Sequence, residues 1–321
     1  MIRWQLHGLI VEGRWTAAEI GERWGATFAP RPQTIAEPDL TFELVLGSQV
    51  PPAPAAPPDF RQGELLAYYL NGPLAARQVV AHFPRYGQLA LDLARGNTSG
   101  LITTAALATY GVFEDLLAIG LSPHLRRRGQ FLLHAFAAVP GPAAPAVLLA
   151  GDIGAGKTTT GLSLLHAGWK LLSNDSPILS AAPDRVQVLA YPGLLSAYPD
   201  TLVRFPELAH LAPPSDLREK TIFAAEAVYP DVWLESAPAG ALVFPCIEAR
   251  ADHALERLPP AAALAELLPH AIEQWDRAMI PSHLKLLNQL VQTTPAYRLH
   301  LGPDTSTIPA LLTETLLTQR R

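Results

Sequence analysis

The chain has 321 residues, 49% of them hydrophobic and 17% charged, with a formal net charge of −5. That length holds one large domain or two modest ones around a sizeable core, and the acidic balance, with no basic patch, argues against nucleic acid or an anionic membrane as a partner. A surface this lean in charge points to contact with a partner or with a second copy of the chain, a homo-oligomer.

The opening stretch, Met1–His7, lacks the long apolar run and small-residue cleavage site of a signal peptide. Residues 1–50 carry short strand-like patches, and Thr41–Leu46 alternates polar and apolar at first, as a half-buried strand does. Pro51, Pro52, Pro54, Pro57 and Pro58 make a stiff extended segment. Strand-like runs follow at Glu64–Leu70, Gln78–Val80 and Leu89–Leu91, with a turn at Asn71-Gly72-Pro73. Residues 1–100 therefore read as a β-rich N-terminal part, and 101–321 as a second part. Helical spacing predicts one helix over 102–121, with Pro123 just past its end. Glu114 and Asp115 lie inside the longest apolar stretch, Leu101–Leu121, which argues against a bilayer span and places the protein in the cytoplasm. Arg126, Arg127 and Arg128 read as a solvated turn at a helix end.

From Gln130 the pattern changes. Phe131–Val139 reads as a strand, residues 140–145 as a Pro/Gly turn, and Ala146–Ala150 as a strand buried on both faces. A glycine-rich loop, a helix over Thr159–Trp169 and a strand over Lys170–Ser173, ending at Asn174-Asp175, complete a βαβ-like order. The one cysteine, Cys246, can make no internal disulfide and no thiolate zinc site, and reads as a small buried apolar residue.

The loop reads Gly151-Asp152-Ile153-Gly154-Ala155-Gly156-Lys157-Thr158, a full match to G-x-x-x-x-G-K-[ST] between a buried strand and a helix. Glycines let the backbone approach an anion, and successive N–H groups form a nest for phosphate oxygens at a positive helix end. Lys157 brings a cation to the β- and γ-phosphates of ATP, the Thr158 hydroxyl suits Mg²⁺, and Thr159 extends the binding segment. Asp175, at the carboxyl end of the next strand, reads as a Mg²⁺ ligand or as the acceptor of a proton from an attacking hydroxyl. Asn174 cannot be a base but can be a metal or substrate ligand. Lys220 and Arg204 can each bring a cation to the phosphoryl group or substrate, or be surface charges. His134 lies in the strand–turn–strand unit leading into the loop, and a lone histidine in an apolar strand is either structural or part of the site. His166 and Trp169 read as structural. The chain has no Asn-Lys-x-Asp guanine-reading segment, no Leu-Ser-Gly-Gly-Gln transporter signature and no apolar strand ending in Asp-Glu, which argues against an ATPase or GTPase switch.

The ordered set His134-Ala135, Gly151–Thr158, Ala167-Gly168-Trp169 and Leu171–Asp175 resembles the catalytic domain of HPr kinase/phosphorylase and its single-chain relatives, which include lasso-peptide-type serine kinases. Weaker likeness continues through Tyr191–Leu194, Leu208–Lys220, Ala241–Pro245 and Tyr297–Gly302. The resemblance implies an α/β fold with a phosphoenolpyruvate-carboxykinase-like P-loop core, a mixed sheet and flanking helices. It implies Mg²⁺-dependent transfer of the ATP γ-phosphate to a serine hydroxyl of a peptide, protein or small molecule. It also implies that Lys157 contacts phosphate, that Thr158 and Asp175 face the metal, and that His134 lines the site near the γ-phosphate. Asn174 stands where the family has its first aspartate, and Ile153 where it has a serine. The first difference opens a second reading, a catalytically weak ATP-binding regulatory module. No copy of the loop that recognises HPr is found.

Overall fold

The computed structural model describes residues 1–29, 31–72, 77–211, 216, 219–271 and 273–318. The protein is a mixed α/β chain that divides into two compact units, Met1–Gly129 with Glu273–His283, and Gln130–Ile272 with Leu284–Arg321. No helix among the described residues is long and apolar enough to cross a membrane.

The first unit contains β1 (Ile2–Leu6), β2 (Leu9–Trp15), α1 (Ala18–Phe28), β3 (Leu40–Gly47), β4 (Phe60–Gln62), β5 (Leu65–Tyr69), β6 (Gln78–Phe83), β7 (Gly87–Asp92), β8 (Asn97–Thr103), α2 (Thr104–Ala108) and α3 (Val112–Arg126). Its eight strands form one sheet in the order β1-β2-β3-β8-β7-β6-β5-β4. The sequence shows strands here, but α1 is an addition to that reading. Ile20, Trp24, Thr27 and Phe28 give it one buried face, and Trp24 packs on Phe28 and Phe42 with ring centroids 5.1 and 5.3 Å away. Pro73 of the expected turn lies outside the described residues.

The single helix expected over 102–121 is instead the end of β8 followed by two helices. Gly111 breaks them with a φ of 75°, and Pro123 lies inside α3. α3 packs on the sheet through Gly120, whose carbonyl accepts the Thr98 hydroxyl at 3.0 Å and which lies against Phe42. The compact units therefore part at Gly129, whereas the sequence suggests a boundary at residue 100. Arg126 is no solvated turn residue. It is 1% exposed, its Nε donates to Asp276 at 2.7 Å, and Arg127 donates to the same carboxylate at 2.8 Å.

The second unit contains β9 (Gln130–Leu132), β10 (Ala135–Val139), β11 (Ala146–Ala150), α4 (Lys157–His166), β12 (Lys170–Ser173), β13 (Ile178–Ala181), β14 (Val186–Leu189), β15 (Leu195–Ala197), α5 (Pro199–Leu202), β16 (Thr221–Phe223), α6 (Ala225–Val228), β17 (Ser236–Ile247), β18 (Ala254–Leu258) and α7 (Pro260–Ala271). α8 (Ile280–Thr293) follows, and then β19 (Ala296–Leu301) and α9 (Ile308–Thr318). The main sheet runs β12-β10-β11-β17-β14-β13-β9, with β19 on β17 and β18 on β19. β11, β17 and β19 are parallel neighbours, while β10 is antiparallel to both β11 and β12.

β10 and β11 are buried along their whole length and rich in alanine. That lets α4 lie close, and Gly161 faces the Phe136 ring so tightly that an added Cβ would stand 2.5 Å from it. Leu162, Leu164 and Leu165 of α4 join Trp169, Leu195 and Phe223 in the core. The strand read over Phe131–Val139 is two strands, because the chain leaves β13 after Leu132 and joins β11 and β12 from Ala135. Tyr191–Leu194 is irregular and leads into β15. Cys246 is part-exposed rather than buried, with its Sγ 3.9 Å from Glu248 Oε1.

Candidate functional site

Because β10 runs against both neighbours, β11 and β12 run the same way. The carboxyl ends of β11 and β12 and the amino end of β10 thus share one edge of the sheet. The loop at 151–156 leaves β11 there, Asp175 lies two residues beyond β12, and His134 immediately precedes β10. The edge is tied by the Ala135 amide, which donates to the Asp175 carbonyl at 2.9 Å, and by the pairing of Ala135 with Ala150.

The loop is curled, not extended. Gly154 and Gly156 take φ values of +85° and +102°, a region that costs other L-residues free energy. The Ala155 amide donates to the Asp152 carbonyl at 3.2 Å, and the Thr160 amide to the Gly156 carbonyl at 2.9 Å, starting α4. Lys157 bends back along the loop, with its ammonium donating to the Gly151 carbonyl at 2.5 Å and to that of Asp152 at 3.1 Å. Burial lowers its pKa, Asp175 and Asp152 act against that, and Lys220 adds to it. Asp152 and Ile153 point outward and are exposed, and Thr158 and Thr159 are half-buried at the first turn of α4.

Asp175 pairs with His134, with Oδ1 3.2 Å from Nδ1. Crowding raises the carboxyl's pKa, but the hydrogen bond from His134 and the charges of His134, Lys157 and Lys220 outweigh it, so the group is held below the ordinary carboxylate range. Among the described residues no three His, Cys, Asp or Glu side chains gather as a metal-ligand set. Hard oxygen donors on this edge include the Thr158 hydroxyl and the Asp175 carboxylate.

The other candidate residues separate. The Asn174 amide donates to the Leu194 carbonyl at 3.0 Å, which ties its side chain to the approach to β15. The Lys220 ammonium lies 5.2 Å from the Tyr198 ring centroid, and its charge is felt at both Lys157 and Asp175. Most of the segment before it, 212–215 with Leu217 and Arg218, lies outside the described residues. Arg204 is not part of this cluster. It lines a cavity of about 580 Å³ with Gly156, Thr159, Ile247, Leu301 and Ile308. His166 binds Glu207 at 2.9 Å, and Trp169 is a core residue.

One residue of this edge escaped the sequence reading. His270, at the end of α7, accepts the His134 amide on its carbonyl at 2.9 Å, and its Nε2 lies 3.9 Å from Asp152 Oδ1. A lone histidine on an alanine- and leucine-rich helix carries no signal in sequence, and only the tertiary fold brings it here.

No protein-family model matches the sequence, and no curated protein matches it. Among solved structures, the Hpr(Ser) kinase/phosphatase from Coxiella burnetii is similar at a TM-score of 0.32 and 11% identity, over 59% of this chain and 95% of that one. A likeness of that size says nothing about activity.

Proposed function

We propose that this chain is an ATP-dependent phosphotransferase that moves the γ-phosphate to a hydroxyl, a serine of a peptide or protein or the hydroxyl of a small molecule. The observation that carries the reading is the convergence of the curled loop, Lys157, Asp175 and His134 on one sheet edge, with Asp175 and His134 in contact at 3.2 Å. The mixed sheet with β10 between β11 and β12 supports a phosphoenolpyruvate-carboxykinase-like P-loop core. The motif order from His134 to Asp175 supports likeness to HPr kinase/phosphorylase.

In this reading the loop amides and the amino end of α4 hold the phosphates. Lys157 leaves its two carbonyl partners for the β- and γ-phosphates. The nucleoside extends past Gly156 and Thr159 into the cavity beside Arg204. Asp175, ionised at neutral pH, accepts the proton of the acceptor hydroxyl. The oxygen then bonds to the γ-phosphorus as the bond to the β-phosphate oxygen breaks, releasing ADP. His134 orients that carboxylate. Mg²⁺ would be held by the Thr158 hydroxyl, with Asp175 reaching it through water. When bound, the ion neutralises charge on the phosphates.

A second reading, an ATP-binding module without turnover, rests on Asn174, whose amide is engaged by Leu194 where the resembling family carries an acid. Incubation with ATP, Mg²⁺ and hydroxyl acceptors separates the two. ADP formed with a phosphorylated acceptor supports the transferase, and tight binding without ADP supports the module. ATP binding untouched by Lys157→Ala overturns both.

A further inference from the structure

His270 has no role in the mechanism above, yet it closes the same edge. Its side chain is 12% exposed. Its ring stands 6.4 Å from that of His134, centroid to centroid, at an interplanar angle of 41°. The 3.9 Å from its Nε2 to Asp152 Oδ1 exceeds a hydrogen bond, so the imidazole is beside the loop without being bound to that carboxylate. His134 engages Asp175 through Nδ1, so its Nε2 donates to a ligand oxygen in the doubly protonated ring, the form whose charge acts on Asp175.

The two rings are spaced for a ligand oxygen. An oxygen accepting a ring N–H sits about 4 Å from that ring's centroid. Two such distances meet at one atom, or at two oxygens of one phosphoryl group, when the centroids are less than about 8 Å apart, and 6.4 Å satisfies this. The charges facing His270 are those of Asp152, His134 and Lys157, with Glu266 on its own helix. Burial lowers its pKa, Asp152 and Glu266 act against that, and His134 and Lys157 add to it. The neutral form of the ring is thereby favoured, and it keeps one N–H to donate. Asp152 would repel an anion, but its side chain is 92% exposed and water screens it.

We infer that His270 is a ligand of the terminal phosphoryl group, donating from its imidazole to a γ-phosphate oxygen across from His134, so that the site distinguishes a nucleoside triphosphate from a diphosphate. This rests on the nucleotide reading above and adds a second histidine to it.

The test measures Mg²⁺–ADP and a β,γ-imido analogue of ATP on the wild-type chain, His270→Ala and His270→Asn by calorimetry. His270→Ala is expected to weaken the analogue about tenfold while ADP changes less than about twofold, and His270→Asn, which keeps a neutral N–H donor, to recover part of the loss. Retained ADP binding shows that the variant loop is folded. On the unmodified protein, the His270 ring NMR signals should shift with the analogue and not with ADP, a readout that needs no variant. If analogue and ADP weaken together, or neither changes and the ring signals respond alike to both, His270 does not hold the γ-phosphate and the nucleotide reading stands. If the wild-type chain binds neither nucleotide, the reading of the loop fails and the role of His270 falls with it.

Discussion

Gly154 and Gly156 offer a test of the loop that separates backbone strain from packing. Both have positive φ, +85° and +102°, so alanine at either costs about 1–2 kcal/mol for the conformation alone. Around Gly154 nothing lies within 4 Å of an added Cβ. At Gly156 the Cβ would stand 2.6 Å from Leu301 Cδ1 and 3.5 Å from Ile247 Cγ1. Leu301 is 7% exposed, so its displacement adds an overpacking cost of about 1–3 kcal/mol. Gly154→Ala should therefore destabilise the ligand-free second unit by about 1–2 kcal/mol, and Gly156→Ala by about 2–5 kcal/mol. Hydrogen exchange at the α4 amides, including that of Thr160, reads this locally in a chain whose two units need not unfold together. Leu301→Ala carries its own cavity cost, so the informative quantity is the coupling in the cycle with Gly156→Ala, expected at about 1–3 kcal/mol of relief. Equal destabilisation by the two glycine variants, with no coupling to Leu301, would refute the proposed contact and the loop path that makes it.

Asp276→Ala should cost about 3–5 kcal/mol, because it strands the buried Arg126 guanidinium, and should show as lost exchange protection in α3. Burial raises the Asp276 pKa, but hydrogen bonds and charge from Arg127 and Arg126 hold it below the ordinary range. Its contribution is therefore complete above the unfolded carboxyl's pKa and disappears as pH falls through the folded one, and Asp276→Asn should flatten that acid limb of the stability curve. Gly161→Ala sets a gain in helix propensity of about 1 kcal/mol against overpacking of about 1–3 kcal/mol on Phe136, so the melting temperature should fall, and Phe136→Leu should restore part of it. Asp175→Asn should slow acceptor phosphorylation by about 10²–10⁴-fold when measured at saturating ATP and Mg²⁺. In the wild type the acid limb of the rate should lie below the usual carboxylate range, because His134, Lys157 and Lys220 outweigh the crowding that raises the pKa of Asp175.

What the sequence discloses depends on whether a local pattern has one solution. The run Ala146–Ala150, the glycines and the lysine can only be a buried strand turning into a helix; β11 and β12 follow as read, and α4 spans Lys157–His166 rather than Thr159–Trp169. Phe131–Val139 is apolar but for His134 and holds no Gly or Pro, so the change of partners at Leu133-His134 carries no turn signal. α1 was hidden because Gly21 and Gly25 and its aromatics weaken a helical pattern that burial of Trp24 and Phe28 enforces. The run after Leu101 looked like one helix because the end of β8 and the start of α2 are equally apolar. Arg126 looked solvated because its partner, Asp276, is 150 residues away. His270 is a similar case, since nothing near it in the chain says what it will face.

The antiparallel strand β10 also acts as a spacer. Adjacent strands lie about 4.8 Å apart, so one inserted strand sets the loop after β11 and the carboxylate after β12 about 9.6 Å from one another at the backbone. Side-by-side strands would leave half that, too narrow for an oxygen-bearing group gripped from both flanks by hydrogen bonds of about 2.9 Å each. The width of the gap is thereby fixed by sheet geometry, and lengthening or shortening side chains on its walls can tune the opening only by small steps.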